Sequence, residues 1–262
     1  MLECVVNISE GRDRDVVDAI AAAAGDDLLD VHTDADHNRS VLTLLGEEAP
    51  RAVARATVAR LDLRAHTGVH PRIGVVDVVP FVALDDAPAS EAVAARDRFG
   101  AWAADALGVP GFAYGPERTL PDVRRTAFAG LAPTWGPTDP HPTAGAVAVG
   151  ARPLLVAYNL WLAPGTELAV ARRVARAVRS AEVRTLGLAV GAEVQVSMNL
   201  VAPREVGPAE VWDRVAALAP VARAELVGLI PAAVLDRTPA ERWEQLDIGP
   251  DRTIEARRDR RR

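Results

Sequence analysis

The chain has 262 residues, enough to bury a substantial core in one domain or two. Hydrophobic residues make up 49% and aromatics only 4%, so the core must be built mainly from Ala, Val and Leu. A formal net charge of −6 argues against broad nucleic-acid or membrane-surface binding, and the absence of Lys excludes Schiff-base catalysis and a Lys grip on phosphate.

The single Cys4 excludes an internal disulfide framework and a zinc ribbon, and its apolar strand pattern favours packing over catalysis. The opening Met1-Leu2-Glu3-Cys4 has neither the basic start nor the apolar run of a secretory signal. No uninterrupted apolar stretch approaches a membrane span, and a cytoplasmic protein is expected.

In chain order, residues 2–8 read as a strand and Ser9-Glu10-Gly11 as a turn. Val16, Val17, Ile20 and Ala24 recur at helical spacing until Gly25. Residues 28–31 and 40–45 read as paired strands, and Pro50 suits the first turn of a helix running to Leu61. Residues 75–82, rich in Val, complete a βαββαβ order. Residues 88–107 and 120–128 read as helices, with a short strand at 111–114. Residues 131–145 are too dense in Gly and Pro for regular structure, yet they hold Trp135, Asp139 and His141, which suits a ligand clamp better than a plain linker.

From Leu154 the order repeats: a strand at 154–162, a helix marked by Val170, Val174 and Val178, a hairpin around Gly191-Ala192, a helix with Val211 and Val215, and a strand at 224–230. Val5-Val6-Asn7-Ile8 overlays Ala157-Tyr158-Asn159-Leu160, and Val79-Pro80 overlays Ile230-Pro231, at an offset of about 150 residues. The expected fold class is α+β, with two ferredoxin-like units whose sheets could face each other. After Asp236 the chain is polar, and the closing arginines read as a frayed basic tail.

Residues 63–81, L-R-A-H-T-G-V-H-P-R-I-G-V-V-D-V-V-P-F, carry two of the five histidines. Gly68, Pro71 and Gly74 forbid a regular helix, so His66 and His70 are not the paired ligands of a helical zinc site. On these residues alone the favoured reading is a surface loop whose imidazoles satisfy backbone carbonyls. The other polar cluster, His32, Asp34, Asp36 and His37, fits no standard metal spacing, and no metal is expected.

Several stretches together resemble the formiminotransferase domain of the glutamate formimidoyltransferase family. They are L-E-C-V-V-N-I-S-E-G at 2–11, D-A-D-H-N-R-S-V-L-T at 34–43, the histidine loop with D-V-V-P-F at 77–81, H-P-T-A-G-A-V-A-V-G-A-R-P-L-L-V-A-Y-N at 141–159, Q-V-S-M-N-L at 195–200 and E-L-V-G-L-I-P at 225–231. They occur in the family's order, which is more specific than any one of them.

The resemblance implies two ferredoxin-like subdomains with facing sheets forming a folate tunnel, usually in a homodimer. The corresponding division is an N-terminal subdomain at 1–130, a folate-binding connecting loop at 131–153, a C-terminal subdomain at 154–240 and a polar Arg-rich tail at 241–262. The implied reaction moves the formimino group of N-formimino-L-glutamate to N5 of tetrahydrofolate, a co-substrate. Many members are fused to a cyclodeaminase, which is expected here as a separate polypeptide if it is present.

The family's catalytic histidine falls on His70. Its folate loop falls on Gly136, Pro137, Thr138, Asp139, Pro140, His141, Pro142, Thr143, Ala144 and Gly145. The chemistry also asks for such a histidine. N5 must lose a proton as it attacks, the departing amine must gain one, and an imidazole of pKa about 6.5 serves both steps. His66 is expected to support the site. Asp77 either orients the imidazole, meets the pterin or caps a turn. Arg39 or Arg72 could grip a carboxylate of glutamate or folate. Asn7 and Asn159, at matching repeat positions, either contact substrate or close strand ends.

Thr67 and Val69 replace Lys and Glu of the family's loop, His32 stands where many members have Asp, and Val6 replaces Pro. These changes leave open a formyl transfer between 5-formyltetrahydrofolate and glutamate, and a non-catalytic folate-binding paralogue.

Overall fold

Alternation along Leu2–Ile8 (β1) puts Cys4, Val6 and Ile8 on one face with no exposed surface. Asp13 caps α1 (Arg14–Ala21) by accepting the Val16 N–H at 3.1 Å, and Val17 and Ile20 turn inward. A 3₁₀ segment, Ala22–Asp27, turns the chain at Gly25 (φ 55) into β2 (Leu28–Asp34). β3 (Arg39–Leu45), α2 (Glu48–Arg60) and β4 (Val76–Ala83) complete the first βαββαβ set. The computed structural model describes residues 1–68, 71–84 and 87–260.

The chain continues through α3 (Ala89–Leu107), β5 (Gly111–Tyr114), α4 (Leu120–Thr126) and β6 (Val147–Ala151). Thr119 and Asp122 form a reciprocal capping box at the start of α4. The resulting sheet runs β2-β3-β1-β4-β6-β5. Its first four strands pair antiparallel in the 4-1-3-2 order of a ferredoxin-like unit, and β6 and β5 extend it in parallel. β6 was not anticipated. Its V-A-V-G-A sequence is buried at every position, so it shows no alternation for a reader of sequence to find. Because β6 is a sheet member, part of the stretch expected as a connecting loop at 131–153 is strand, and the whole stretch belongs to the first of two compact units, Met1–Pro153.

The second unit, Leu154–Arg262, holds β7 (Val156–Leu162), α5 (Leu168–Val178), β8 (Val183–Val190), β9 (Glu193–Leu200), α6 (Pro208–Ala216) and β10 (Val221–Val227). Its sheet order, β10-β7-β9-β8, is again 4-1-3-2 and antiparallel. The expected pair of ferredoxin-like units is therefore present. Of the internal match, Asn7 and Asn159 each lie on the first strand of their unit, whereas Val79-Pro80 lies within β4 and Ile230-Pro231 lies beyond the end of β10, so that pair is not equivalent.

The stretch from 237 is not a frayed tail. α7 (Ala232–Leu235) and α8 (Ile254–Asp259) bracket a segment in which Leu246 and Ile248 are buried, and Ile254 of α8 is buried too. The buried Tyr158 hydroxyl donates to the Leu246 carbonyl at 2.7 Å. Three well-spaced aliphatic side chains anchor a segment whose overall composition is polar. Among the described residues no helix is long and apolar enough to cross a membrane.

Candidate active site

Three loops of the first unit converge beside the β1, β3 and β4 strands. The first follows β1. Gly11 donates to Asn38 Oδ1 at 2.9 Å, and a Cβ at Gly11 would lie 2.2 Å from the Asp34 carbonyl oxygen, so no side chain fits. The second is the β2–β3 turn, where Asn38 adopts φ 47 and donates from Nδ2 to the Thr67 carbonyl at 2.9 Å. That bond brings in the third loop, which carries the histidines. Arg12 reinforces the junction by donating to Thr67 Oγ1 at 3.0 Å and to the Ala35 carbonyl at 3.0 Å.

His66 lies at the centre of this junction. Its Nε2 is 3.0 Å from the Asn38 carbonyl, and Arg72 Nη1 lies against both ring nitrogens, 2.6 Å from Nδ1. A guanidinium only donates, so Arg72 needs an unprotonated nitrogen on this ring, a condition met by the neutral imidazole. Burial, with Arg72 beside it, holds His66 below the usual histidine range despite the hydrogen bond to Asn38. His70 and Val69 lie outside the described residues.

Asp77, at the start of β4, is 2% exposed and divides its two oxygens. Oδ1 accepts the Ile73 N–H at 2.9 Å and so caps the loop three residues beyond His70 in sequence. Oδ2 accepts from Arg124 Nη2, on α4, at 2.5 Å. Arg39 donates to Asn7 Oδ1, and Asn7 Nδ2 donates to the Val5 carbonyl at 3.0 Å. Burial pushes Arg39 down to about 10, against the attraction of Asp77 and with the repulsion of Arg124 and Arg72. Asp34 is raised by burial, but the side-chain and backbone hydrogen bonds of His37 outweigh that and hold it at about 2. The Asp34–His37 contact is 2.5 Å at Oδ2 and 2.8 Å from the His37 N–H to Oδ1.

The second half of the 131–145 stretch closes against the histidine loop. Leu63 donates to the Thr143 carbonyl at 2.7 Å, Val75 to Ala144 at 3.0 Å and Ala146 to Ile73 at 2.9 Å. Gly74 bridges Gly145, and a Cβ there would meet the Ala146 carbonyl oxygen at 2.0 Å, so the two segments touch backbone to backbone. His141 closes its own turn. Its Nδ1 accepts from the Thr143 and Ala144 N–H groups at 3.3 and 3.0 Å, and its backbone pairs with Gly145. Trp135 packs over Gly100 of α3, which explains an aromatic in so polar a stretch. Residues 136–140 and Pro142 are exposed, whereas Ala144 and Gly145 are buried.

Asn159 belongs to the second unit, where its Nδ2 donates to Glu225 Oε2 at 3.0 Å. Trp161 Nε1 donates to the same oxygen at 2.9 Å, so Glu225 of β10 ties two side chains of the neighbouring strand β7 in mid-sheet. Among the described residues there is no group of three or more His, Cys, Asp and Glu side chains placed to hold a metal ion.

The first unit thus contains a histidine loop fixed at both ends, a Gly- and Pro-rich segment hydrogen-bonded to it, and Arg39, Arg72 and Arg124 around Asp77. The description "Formiminotransferase domain, N-terminal subdomain" matches residues 1–152. The chain belongs to the formiminotransferase family. It is 34% identical over 232 aligned positions to the glutamate formimidoyltransferase of Streptococcus pyogenes serotype M1, covering 77% of each chain. It is also 34% identical over 274 positions to the glutamate formimidoyltransferase of Thermoplasma acidophilum, covering 90% of this chain and 89% of the relative. Against the formimidoyltransferase-cyclodeaminase of Sus scrofa it is 32% identical over 277 positions, and the match takes in 51% of that longer protein.

Within a formiminotransferase frame the departures find places. Val6 is fully buried on β1, where it packs as an ordinary core residue. His32 pairs with Val41 across β2 and β3. Thr67 receives the Arg12 hydrogen bond already described. Sequence reasoning missed two residues that the structure brings forward. Asn38 ties the three loops together, and Arg124 pairs with Asp77. The signal for Asn38 lay in its position before Arg39, in a turn that favours positive φ. Arg124 gave none, being one of 30 arginines in a chain without lysine.

Proposed function

We propose that this chain transfers the formimino group of N-formimino-L-glutamate to N5 of tetrahydrofolate, giving 5-formiminotetrahydrofolate and glutamate. The observation that carries this reading is its similarity to two relatives named glutamate formimidoyltransferase, 77% and 89% of whose own lengths it spans. The cationic cluster beside the histidine loop suits substrates that carry carboxylates.

In this reading His70 takes the proton that N5 loses on attacking the formimino carbon and returns a proton to the nitrogen of the departing glutamate. One imidazole then serves both halves of the exchange near neutral pH. Asp77 holds the Ile73 N–H and thereby the exit of the loop. His66, held neutral between Asn38 and Arg72, acts as a support and not as the proton carrier. The exposed residues 136–140 and the turn closed by His141 form the folate clamp. A homodimer in the cytoplasm is the accompanying assembly.

The test is a folate absorbance assay with two donor pairs: formimino-glutamate with tetrahydrofolate, and 5-formyltetrahydrofolate with glutamate. Faster turnover of the first pair is expected. Turnover of the second pair alone would reassign the donor, and folate binding without either transfer would make the chain a binding paralogue.

A further inference from the structure

Arg124 stands on α4, an element that the proposed proton transfers do not use. Its side chain is 18% exposed, and its Nη2 is committed to Asp77 at 2.5 Å. Its Nε is buried and has no hydrogen-bond partner among the described residues. Buried guanidinium N–H groups are costly to leave unsatisfied, so such an edge marks a position where an acceptor belongs. Two further guanidiniums lie within electrostatic reach. Arg39 sits on β3 beside Asn7, and Arg72 sits against His66, and both are attracted by Asp77 and repelled by Arg124. Asp77 is therefore a shared counter-charge for three cations that come from three different segments.

We propose that Arg124, together with Arg39 and Arg72, binds a carboxylate of the substrate, and that Asp77 serves to aim the Arg124 guanidinium. This rests on the proposed transfer reaction and names the group by which its substrate is held. A planar guanidinium recognises a carboxylate through a paired N–H edge, which is why Arg is the suitable cation here. The carboxylate has two possible sources: the glutamate of the donor and the glutamate tail of the folate.

Calorimetric titration of the full chain with L-glutamate, and separately with p-aminobenzoyl-L-glutamate, distinguishes the sources. p-Aminobenzoate serves as the control without the amino-acid carboxylates. One of the two glutamate probes should bind the wild-type protein, and its Kd should rise by about 10–100-fold in Arg124→Gln. Binding of L-glutamate assigns the donor, and binding of p-aminobenzoyl-L-glutamate alone assigns the folate tail. Arg124→Lys keeps a cation for Asp77 but lacks the paired edge, so it should weaken the same probe by a smaller factor at a near-normal melting temperature. If the Gln variant does not fold, the Lys variant carries the comparison.

Failure of both probes to bind the wild-type protein, or unchanged affinity in the folded variants, overturns the proposal. Because no turnover is needed, a lost site is distinguished from a wrong reaction. Binding that depends on Arg124 without transfer would leave this site standing and remove the reaction.

Discussion

Asp77 and Arg124 stand 47 residues apart in sequence and meet at 2.5 Å, with the carboxylate 2% exposed. The same carboxylate accepts the Ile73 N–H at 2.9 Å, so one side chain joins α4, β4 and the exit of the histidine loop. Removing one member of a buried ion pair leaves the other uncompensated, which typically costs about 3–5 kcal/mol. Asp77→Ala should destabilise the protein on that order in urea denaturation. Asp77→Asn keeps an acceptor for Ile73 and should cost less. Equal losses would mean that the Ile73 hydrogen bond contributes nothing.

Gly74 is the point at which the 131–145 segment meets the histidine loop. A methyl group there would collide with the Ala146 carbonyl, which belongs to the backbone and cannot rotate away. Gly74→Ala should lower stability by about 1–3 kcal/mol or more. It should also weaken folate binding, as measured by fluorescence quenching. A variant with wild-type melting temperature and affinity would contradict the close backbone contact.

The Asp34–His37 pair predicts a particular acid response. Asp34 is held at about 2, below its unfolded value of about 3.9. A depressed carboxyl contributes stability that is fully present above the unfolded value and disappears as pH falls through the folded one. The stability difference between wild type and Asp34→Asn should therefore be constant from neutral pH down to about 5 and shrink between about 4 and 2. A constant difference across that window would show that the pair does not hold Asp34 ionised.

In the second unit, the Tyr158 hydroxyl donates to the Leu246 carbonyl at 2.7 Å in a buried setting. Burial pushes the Tyr158 phenol far above its ordinary range, so the group stays a donor throughout the accessible pH range. Tyr158→Phe should cost about 1–2 kcal/mol by leaving the carbonyl unpaired. Hydrogen exchange should report faster opening around 246–254. Unchanged exchange there would mean that the segment is held by Leu246, Ile248 and Ile254 alone.

Both βαββαβ sets were legible because Val-rich strands and Val-marked helices keep clean periods, and the duplicated Asn7 and Asn159 aligned the halves. β6 was illegible because a strand buried on both faces, built from Val, Ala and Gly, shows no alternation. The closing segment was misread because Leu246, Ile248 and Ile254 are few among many charges, and only tertiary packing reveals that Leu246 and Ile248 share a core with Tyr158. The histidine loop and residues 141–145 were both singled out in the sequence. Their backbone contact was not, since Gly74 next to Gly145 is a matter of space, not of pattern. Arg124 needed the fold to place it opposite Asp77.

The central claim is tested most directly by measuring tetrahydrofolate-dependent release of glutamate from N-formimino-L-glutamate by the wild-type chain and by His70→Ala. Turnover should fall by about 10²–10⁴-fold in the variant while tetrahydrofolate still binds. Near-wild-type turnover in His70→Ala would contradict the account.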